Sequence, residues 1–361
     1  MPEFIPGLAL NEQFYHEVVG PILAQDFPGL VHSAARLGSG SDVLGYDDEM
    51  SADHDWGIRQ QIFLSPADHA RYATAVLQTL RHRLPYRYRG YSVHFGQTNE
   101  EGTALLEEVD SGPVNHRIEV VTTRDFFGRQ LGIDPAREWD AIDWVSVSQQ
   151  QLLSVTAGRV FSDNLGELEA LRHKFSYYPH DVWLYLLACQ WRRIGQEDHF
   201  VGRTGYRGDD LGSRLLAARL VHDIMQLGFL IEKRYAPYPK WFGTAFQELD
   251  CAPALSLILQ QTLVAGSWQE RETHLCAAFE LVGEIHNRLQ ITTPLPTGCL
   301  QFHDRPFRVH SGDYEKALRD AIGDEQVKQL HPHLGGIDQF SHSTDLRSDP
   351  DLFGKLRPLY R

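Results

Sequence analysis

The sequence predicts an α+β domain built around a small mixed sheet flanked by helices, followed by an all-α helical-bundle domain. Three observations lead there. Strand and helix patterns alternate before about residue 145, long helical patterns fill the chain after it, and neither a fixed-period repeat nor a low-complexity block interrupts either part. With 361 residues, 42% of them hydrophobic, the chain has enough apolar mass for a core in each part. The expected division is 1–145, 146–330 and a polar, turn-rich, partly extended tail over 331–361.

In the first part, residues 11–25 read as a helix. "LVHSAARLG" and "DWGIRQQIFL" read as strands, "PADHARYATAVLQTLRHRL" as a helix opened by Pro66 near its start, and "YSVHF" and "NHRIEVVTT" as later strands. The second part holds "PHDVWLYLLACQWRRI", "DDLGSRLLAARLVHDIMQLGFLIEKRY", "PALSLILQQTLVA" and "WQERETHLCAAFELVGEIHNRL", each with apolar residues three and four apart and with caps such as Asp181 or Asp209. These are four helices of a bundle. Short connections favour antiparallel neighbours, and "YAPYPKW" between the second and third is a stiff, structured break.

Composition narrows the partners. A net charge of -14 disfavours broad contact with nucleic-acid phosphates, because such binding needs Lys and Arg to release condensed counterions. Small molecules, cations and proteins remain. Cys189, Cys251, Cys276 and Cys299 are widely spaced without a CxxC, so neither a zinc site nor a dense disulfide framework is expected, and the compartment is read as reducing. The N-terminal stretch has no basic segment ahead of an apolar core, and no apolar run is long enough for a membrane span. The expected location is cytoplasmic, away from membranes.

The stretch "RLGSGSDVLGYDDEMSADHDWGIRQQIFL" concentrates glycine and carboxylate immediately before an apolar, strand-like segment. Asp53 and Asp55 are two residues apart, so in extended backbone both project from the same face. Paired carboxylates on one face repel or hold a cation. Mg²⁺ suits them, since it takes one or two carboxylates and completes its shell with water and substrate phosphates. Gly40-Ser41 with Gly45 makes a turn whose backbone N–H groups are able to approach phosphate oxygens. Glu119, inside a strand, is the third acid that a hydroxyl's activation needs, with Asp110 in reserve. Arg117 or Arg36 is an alternative partner for Glu119, which would make it a satisfied ion pair.

These residues resemble the polymerase-beta-like nucleotidyltransferases, whose signature is a Gly-Ser turn, a gap of about ten residues and an acid-x-acid pair on the next strand. Here the match is Gly40-Ser41, then Asp53-His54-Asp55, with Glu119 as the third acid; the motif covers about residues 30 to 125. With its helical second domain carrying "RYAPYPKW", the whole chain also looks like an uncharacterised bacterial family of that superfamily. Two departures stand out: His54 replaces the apolar residue usual between the acids, and Gly38-Ser39 is an equally placed Gly-Ser pair.

The resemblance implies Mg²⁺-dependent transfer of a nucleoside monophosphate, AMP from ATP foremost, to a hydroxyl of a small molecule or protein, with release of pyrophosphate. Asp53, Asp55 and Glu119 would hold one or two Mg²⁺ ions, or Glu119 would serve as base. Gly40 and Ser41 would orient the phosphates, and Lys240, after the proline-rich break, would reach the triphosphate. The alternative is a nucleotide-binding sensor or antitoxin-like module without turnover.

Plainer readings apply elsewhere. Asp47, Asp48 and Glu49 read as a solvated loop. His54-Asp55 as the dyad of a metal phosphohydrolase conflicts with the strand that follows. Arg203, Arg207 and Asp209 read as helix capping.

Overall fold

The computed structural model describes residues 3–53, 55–98 and 103–361, with Ala52 and Asp53 described in their backbone. The chain divides into two compact units. The first runs to Glu138 and takes up Gln151–Ser176; the second holds Trp139–Gln150 and Tyr177–Arg361.

The strands are β1 (His32–Arg36), β2 (Arg59–Leu64), β3 (Arg87–Tyr88), β4 (Tyr91–Ser92), β5 (Arg117–Val121), β6 (Arg159–Asp163), β7 (Cys299–Gln301) and β8 (Arg308–His310). In the first unit, among the described residues, four of them form a mixed sheet in the order β5-β2-β1-β6. β1 runs antiparallel to both β2 and β6, while β2 and β5 are parallel. Along β2 the side chains alternate faces. Ile62 and Leu64 join the core built with Val76 and Leu80 of the helix Pro66–Arg83. Phe63, on the other face, meets Phe126 edge-on at 5.5 Å. Arg59 and Gln61 share that second face.

The N-terminal helix spans Gly7–Phe14, widens into a π turn at Tyr15–Val19 and continues over Gly20–Asp26. The wide turn sits just ahead of Gly20-Pro21, where proline has no N–H for the helical ladder. Its apolar face buries Leu10, Phe14, Val19 and Leu23 in the sheet's core. Asn11 is fully buried and clamps the start of β2: its Nδ2 donates to the carbonyls of Gly7 (2.8 Å) and Gly57 (3.0 Å), and its Oδ1 accepts from the Arg59 N–H (2.8 Å).

The second unit contains the four expected helices, at His180–Glu197, Asp210–Ile231, Ala252–Val264 and Trp268–Arg288. The reading of Asp209 as a cap holds, since its carboxylate accepts from Gly212 N–H at 2.8 Å. Beyond the helices comes the antiparallel hairpin of β7 and β8. Among the described residues no helix is long and apolar enough to cross a membrane.

Three expectations are corrected. The first domain does not end at 145, because β6 returns to its sheet as an edge strand of five residues. The "YSVHF" segment contributes only β4 and a single bridge from Phe95 to Leu106. The stretch 331–361 is not an extended tail: short helical turns at Ile337–Phe340, Thr344–Ser348, Pro350–Phe353 and Gly354–Tyr360 bury Ile337, Phe353 and Tyr360 completely. Tyr360 Oη donates to the Val145 carbonyl at 2.9 Å, and Arg357 pairs with Asp140 and Asp143.

Asn11→Ala strips partners from the Gly57 carbonyl and the Arg59 N–H, each loss costing about 1–3 kcal/mol when the group stays dry. Urea unfolding is expected to show a loss of about 2–4 kcal/mol; a loss below about 0.5 kcal/mol would mean that water replaces the side chain there.

Candidate anion site in the first unit

The loop after β1 holds the first part of the site. Arg36, the last residue of β1, is buried, and four of its five guanidinium N–H donors are engaged: Nε and Nη2 grip the two Asp42 oxygens at 2.7 and 2.9 Å, Nη1 donates to the Leu37 carbonyl at 2.6 Å, and Nη2 also reaches the Ser39 carbonyl at 3.0 Å. Gln61 fixes the same loop, accepting from Leu37 N–H at 3.0 Å. Gly38 (φ +96°) donates its N–H to the Ser154 carbonyl at 2.7 Å. Gly40 (φ +142°) leaves no room for a Cβ, which would fall 2.1 Å from an Asp42 oxygen and 2.8 Å from Arg36.

β2 and β5 supply the second part. Their parallel register sets Arg59 beside Arg117 and Gln61 beside Glu119. Arg59 Nη2 reaches Asp42 Oδ1, an oxygen that Arg36 Nη2 also holds, at 3.4 Å, and the Arg59 Nε is buried without a hydrogen-bond partner. Two largely buried guanidiniums therefore share one buried carboxylate, and the cluster carries an excess positive charge. Burial, then the charge of Arg36, pull the Arg59 guanidinium down to about 10, while Asp42 and Asp55 oppose the shift. For Asp42, burial works to raise the pKa, but Arg36 and Arg59 overcome it and leave a net lowering. Arg36, Arg59, Arg117, Gly38, Ser39 and Glu119 line a cavity of about 470 Å³. Arginines presented to a cavity, one with an unsatisfied N–H, are suited to an oxyanion.

The expected site residues are distributed unevenly. Glu119 lines the cavity, but its carboxylate accepts from Arg129 at 2.6 Å, so its ion-pair partner is neither Arg117 nor Arg36. Asp55 is not on extended backbone; it lies four residues before β2 with φ +46°. Its carboxylate accepts from Ala104 N–H at 3.3 Å and stands 3.7 Å from Arg117. Asp53 ends a 3₁₀ turn at Glu49–Asp53, so the same-face argument for the two acids fails; the Asp53 side chain and His54 lie outside the described residues. Gly40 and Ser41 open the short helix Ser41–Leu44 beside the buried cluster, whereas Gly38 and Ser39 line the cavity. Lys240 belongs to the second unit, exposed, with Nζ 4.9 Å from the Trp241 ring centroid. Asp110 is exposed and lines no part of this cavity. Asp47, expected in solvent, instead accepts from Gly7 N–H at 2.6 Å and Trp56 Nε1 at 2.9 Å. Among the described residues, no three His, Cys, Asp or Glu side chains converge as a metal site.

The sequence reading missed Asp42 and Arg59. The available signal was their position: an acid two residues after Gly40 in the Gly-Ser-Gly-Ser turn, and an arginine leading the strand that ends in Ile62-Phe63-Leu64.

A family model described as a domain of unknown function, DUF4037, matches residues 144–242, which include none of the cavity-lining residues. The chain is similar to the crystal structure of a nucleotidyltransferase-like protein from Exiguobacterium sibiricum 255-15, with 12% sequence identity over 77% of this chain and 75% of that one and a TM-score of 0.33. No curated protein matches the chain.

Because the native pKa of Asp42 is lowered, its pairing contributes stability above the unfolded value of about 3.9, and that contribution fades as pH falls through the lower native value. Asp42→Asn leaves two guanidiniums buried without a carboxylate. At neutral pH it is expected to cost about 3–5 kcal/mol and to flatten the acid limb of a stability-against-pH profile below about pH 4. An unchanged acid limb would show that other carboxylates govern it.

Proposed function

We propose that the first unit binds the polyphosphate of a nucleotide and that the chain is a nucleotidyltransferase, moving AMP from ATP to a hydroxyl of a small molecule or protein. The observation that supports it is the excess positive charge of Arg36 and Arg59 over Asp42, with Arg117 alongside, facing one cavity. Arg36 has most of its donors taken by Asp42 and the loop, so Arg59 and Arg117 are the groups that grip phosphate, and Gly38-Ser39 shapes the approach.

Asp55 fits a hard divalent cation: it is a carboxylate a third exposed, beyond hydrogen-bond range of Arg117, and its charge acts on Arg59 at the cavity. Mg²⁺ held by Asp55 with Asp53 would draw charge from the phosphate oxygens when bound. Arg59 and Arg117 keep the triphosphate in place as the acceptor oxygen bonds to the α-phosphorus and the bond to the β-phosphate oxygen breaks. The charge that develops on departing pyrophosphate meets these two guanidiniums. Glu119 takes the acceptor proton once its contact with Arg129 is released.

A second reading, nucleotide binding without turnover, is favoured by the same ion pair, since Arg129 already neutralises the third acid.

Thermal unfolding against ATP, adenosine and tripolyphosphate, each with and without Mg²⁺, tests the binding. ATP and tripolyphosphate at about a hundred times their Kd are expected to stabilise by about 2.7 kcal/mol, a shift of a few degrees or less, while adenosine gives none. Arg59→Met is expected to abolish the shift; no shift in the wild type sinks the reading. Pyrophosphate release in the presence of Mg²⁺ and an acceptor should fall about a hundredfold or more in Asp55→Asn. Binding without release of pyrophosphate selects the second reading.

A further inference from the structure

The second unit has two cysteines that come together although the sequence separates them. Cys276 lies on the helix Trp268–Arg288 and Cys299 on β7. The same helix touches the β7–β8 hairpin on both sides of Cys276. Glu272, one turn before it, accepts from Arg308 N–H at 2.9 Å. Phe279, about one turn after it, packs its ring 6.0 Å from that of His310. Positions 272, 276 and 279 share one helical face, so Cys276 points at the hairpin between these two anchors.

On the hairpin, Cys299 pairs directly with His310, so both project to one side, the side on which His310 meets Phe279. Cys276 and Cys299 therefore face each other across the seam between the helix and the hairpin. All four cysteines are free thiols, but Cys189, Cys251 and Cys276 are buried while Cys299 is partly open to solvent. His310 is itself held by Asp198, its Nδ1 lying 2.9 Å from a carboxylate oxygen that is almost fully buried.

We propose that Cys276 and Cys299 are a redox modification site: they form a reversible disulfide that fastens the β7–β8 hairpin to the Trp268–Arg288 helix, with a small-molecule disulfide of the glutathione class as oxidant. The Cys299 thiol, the more open of the two, loses its proton and attacks one sulfur of the small disulfide, giving a mixed disulfide and one small thiol. Cys276 then loses its proton and attacks Cys299 Sγ, expelling the second small thiol. Two protein thiols and one small disulfide become one protein disulfide and two small thiols, so the electrons and protons lost by the protein are those gained by the oxidant. The neighbouring Cys276 thiol, and then burial, push Cys299 above the ordinary thiol range, so the exchange is slow at neutral pH and quickens as pH rises.

The experiment incubates the whole protein with oxidised glutathione at pH 7 and pH 8.5, alkylates the remaining thiols and maps the peptides by mass spectrometry. The expected product carries one cross-link, Cys276 to Cys299, with Cys189 and Cys251 still alkylated; it forms faster at pH 8.5 and dithiothreitol reverses it. Its thermal midpoint rises by several degrees over the reduced protein, because closing the loop between the two cysteines restricts the unfolded chain. Cys299→Ser and Cys276→Ser each lose both the cross-link and the rise. Four alkylated cysteines after prolonged incubation, glutathione retained on Cys299 alone, or any other pairing overturns the proposal. The peptide map of the wild type decides this even where a variant folds poorly.

Discussion

One carboxylate holds the first unit's site together. Asp42 sits on a helix of one turn, too short to be stable by itself, yet it is the common acceptor for guanidiniums from two neighbouring strands. Arg36 adds two backbone carbonyls to its grip and so fixes the course of the Gly-Ser loop, while Gln61 on the adjacent strand fixes the same loop from below. The arrangement is uneven in charge. A second buried carboxylate would have neutralised it; one carboxylate for two guanidiniums offsets part of their burial and leaves a net positive charge.

The second unit uses comparable pairs for closure. Arg357 answers Asp140 and Asp143, and Arg347 answers Asp338, whose other oxygen accepts from Gln149 N–H at 2.8 Å. Gln149 Oε1 in turn accepts from Ala236 N–H at 2.7 Å and Gln150 Oε1 from Tyr238 N–H at 3.0 Å, which fixes the "YAPYP" break by its backbone. Apart from the Arg347–Asp338 pair, these contacts join residues far apart in sequence, and the hydrogen bonds to the Ala236, Tyr238 and Gln149 N–H groups satisfy donors that packing has removed from water.

Much of the architecture was legible because it rests on local pattern. The four long helices of the second unit carry their apolar spacing in the sequence, and β1, β2 and β5 lie within the stretches read as strands. What escaped was set by tertiary partners. β6 is placed by its pairing with β1, and its sequence Arg159-Val160-Phe161-Ser162-Asp163 has its two apolar residues side by side, without alternation. The C-terminal turns look polar because most of their residues are, while the few that matter, Ile337, Phe353 and Tyr360, are spaced too irregularly for a periodic signal. At the site, the glycine and carboxylate types were informative, but their roles depended on which arginine each acid meets, and neither Arg129 opposite Glu119 nor Arg59 opposite Asp42 follows from spacing.

β6 also decides how the first unit can be separated from the rest of the chain. A polypeptide cut at residue 145 keeps the glycine loop, the acids and all three cavity arginines, and so looks complete. It lacks the strand that bonds to β1 from Ser33 to Arg36. The outer rim of β1 would then present bare amide and carbonyl groups to solvent, a surface that recruits the same rim of another molecule. Self-association through that rim would be the first thing observed of such a fragment.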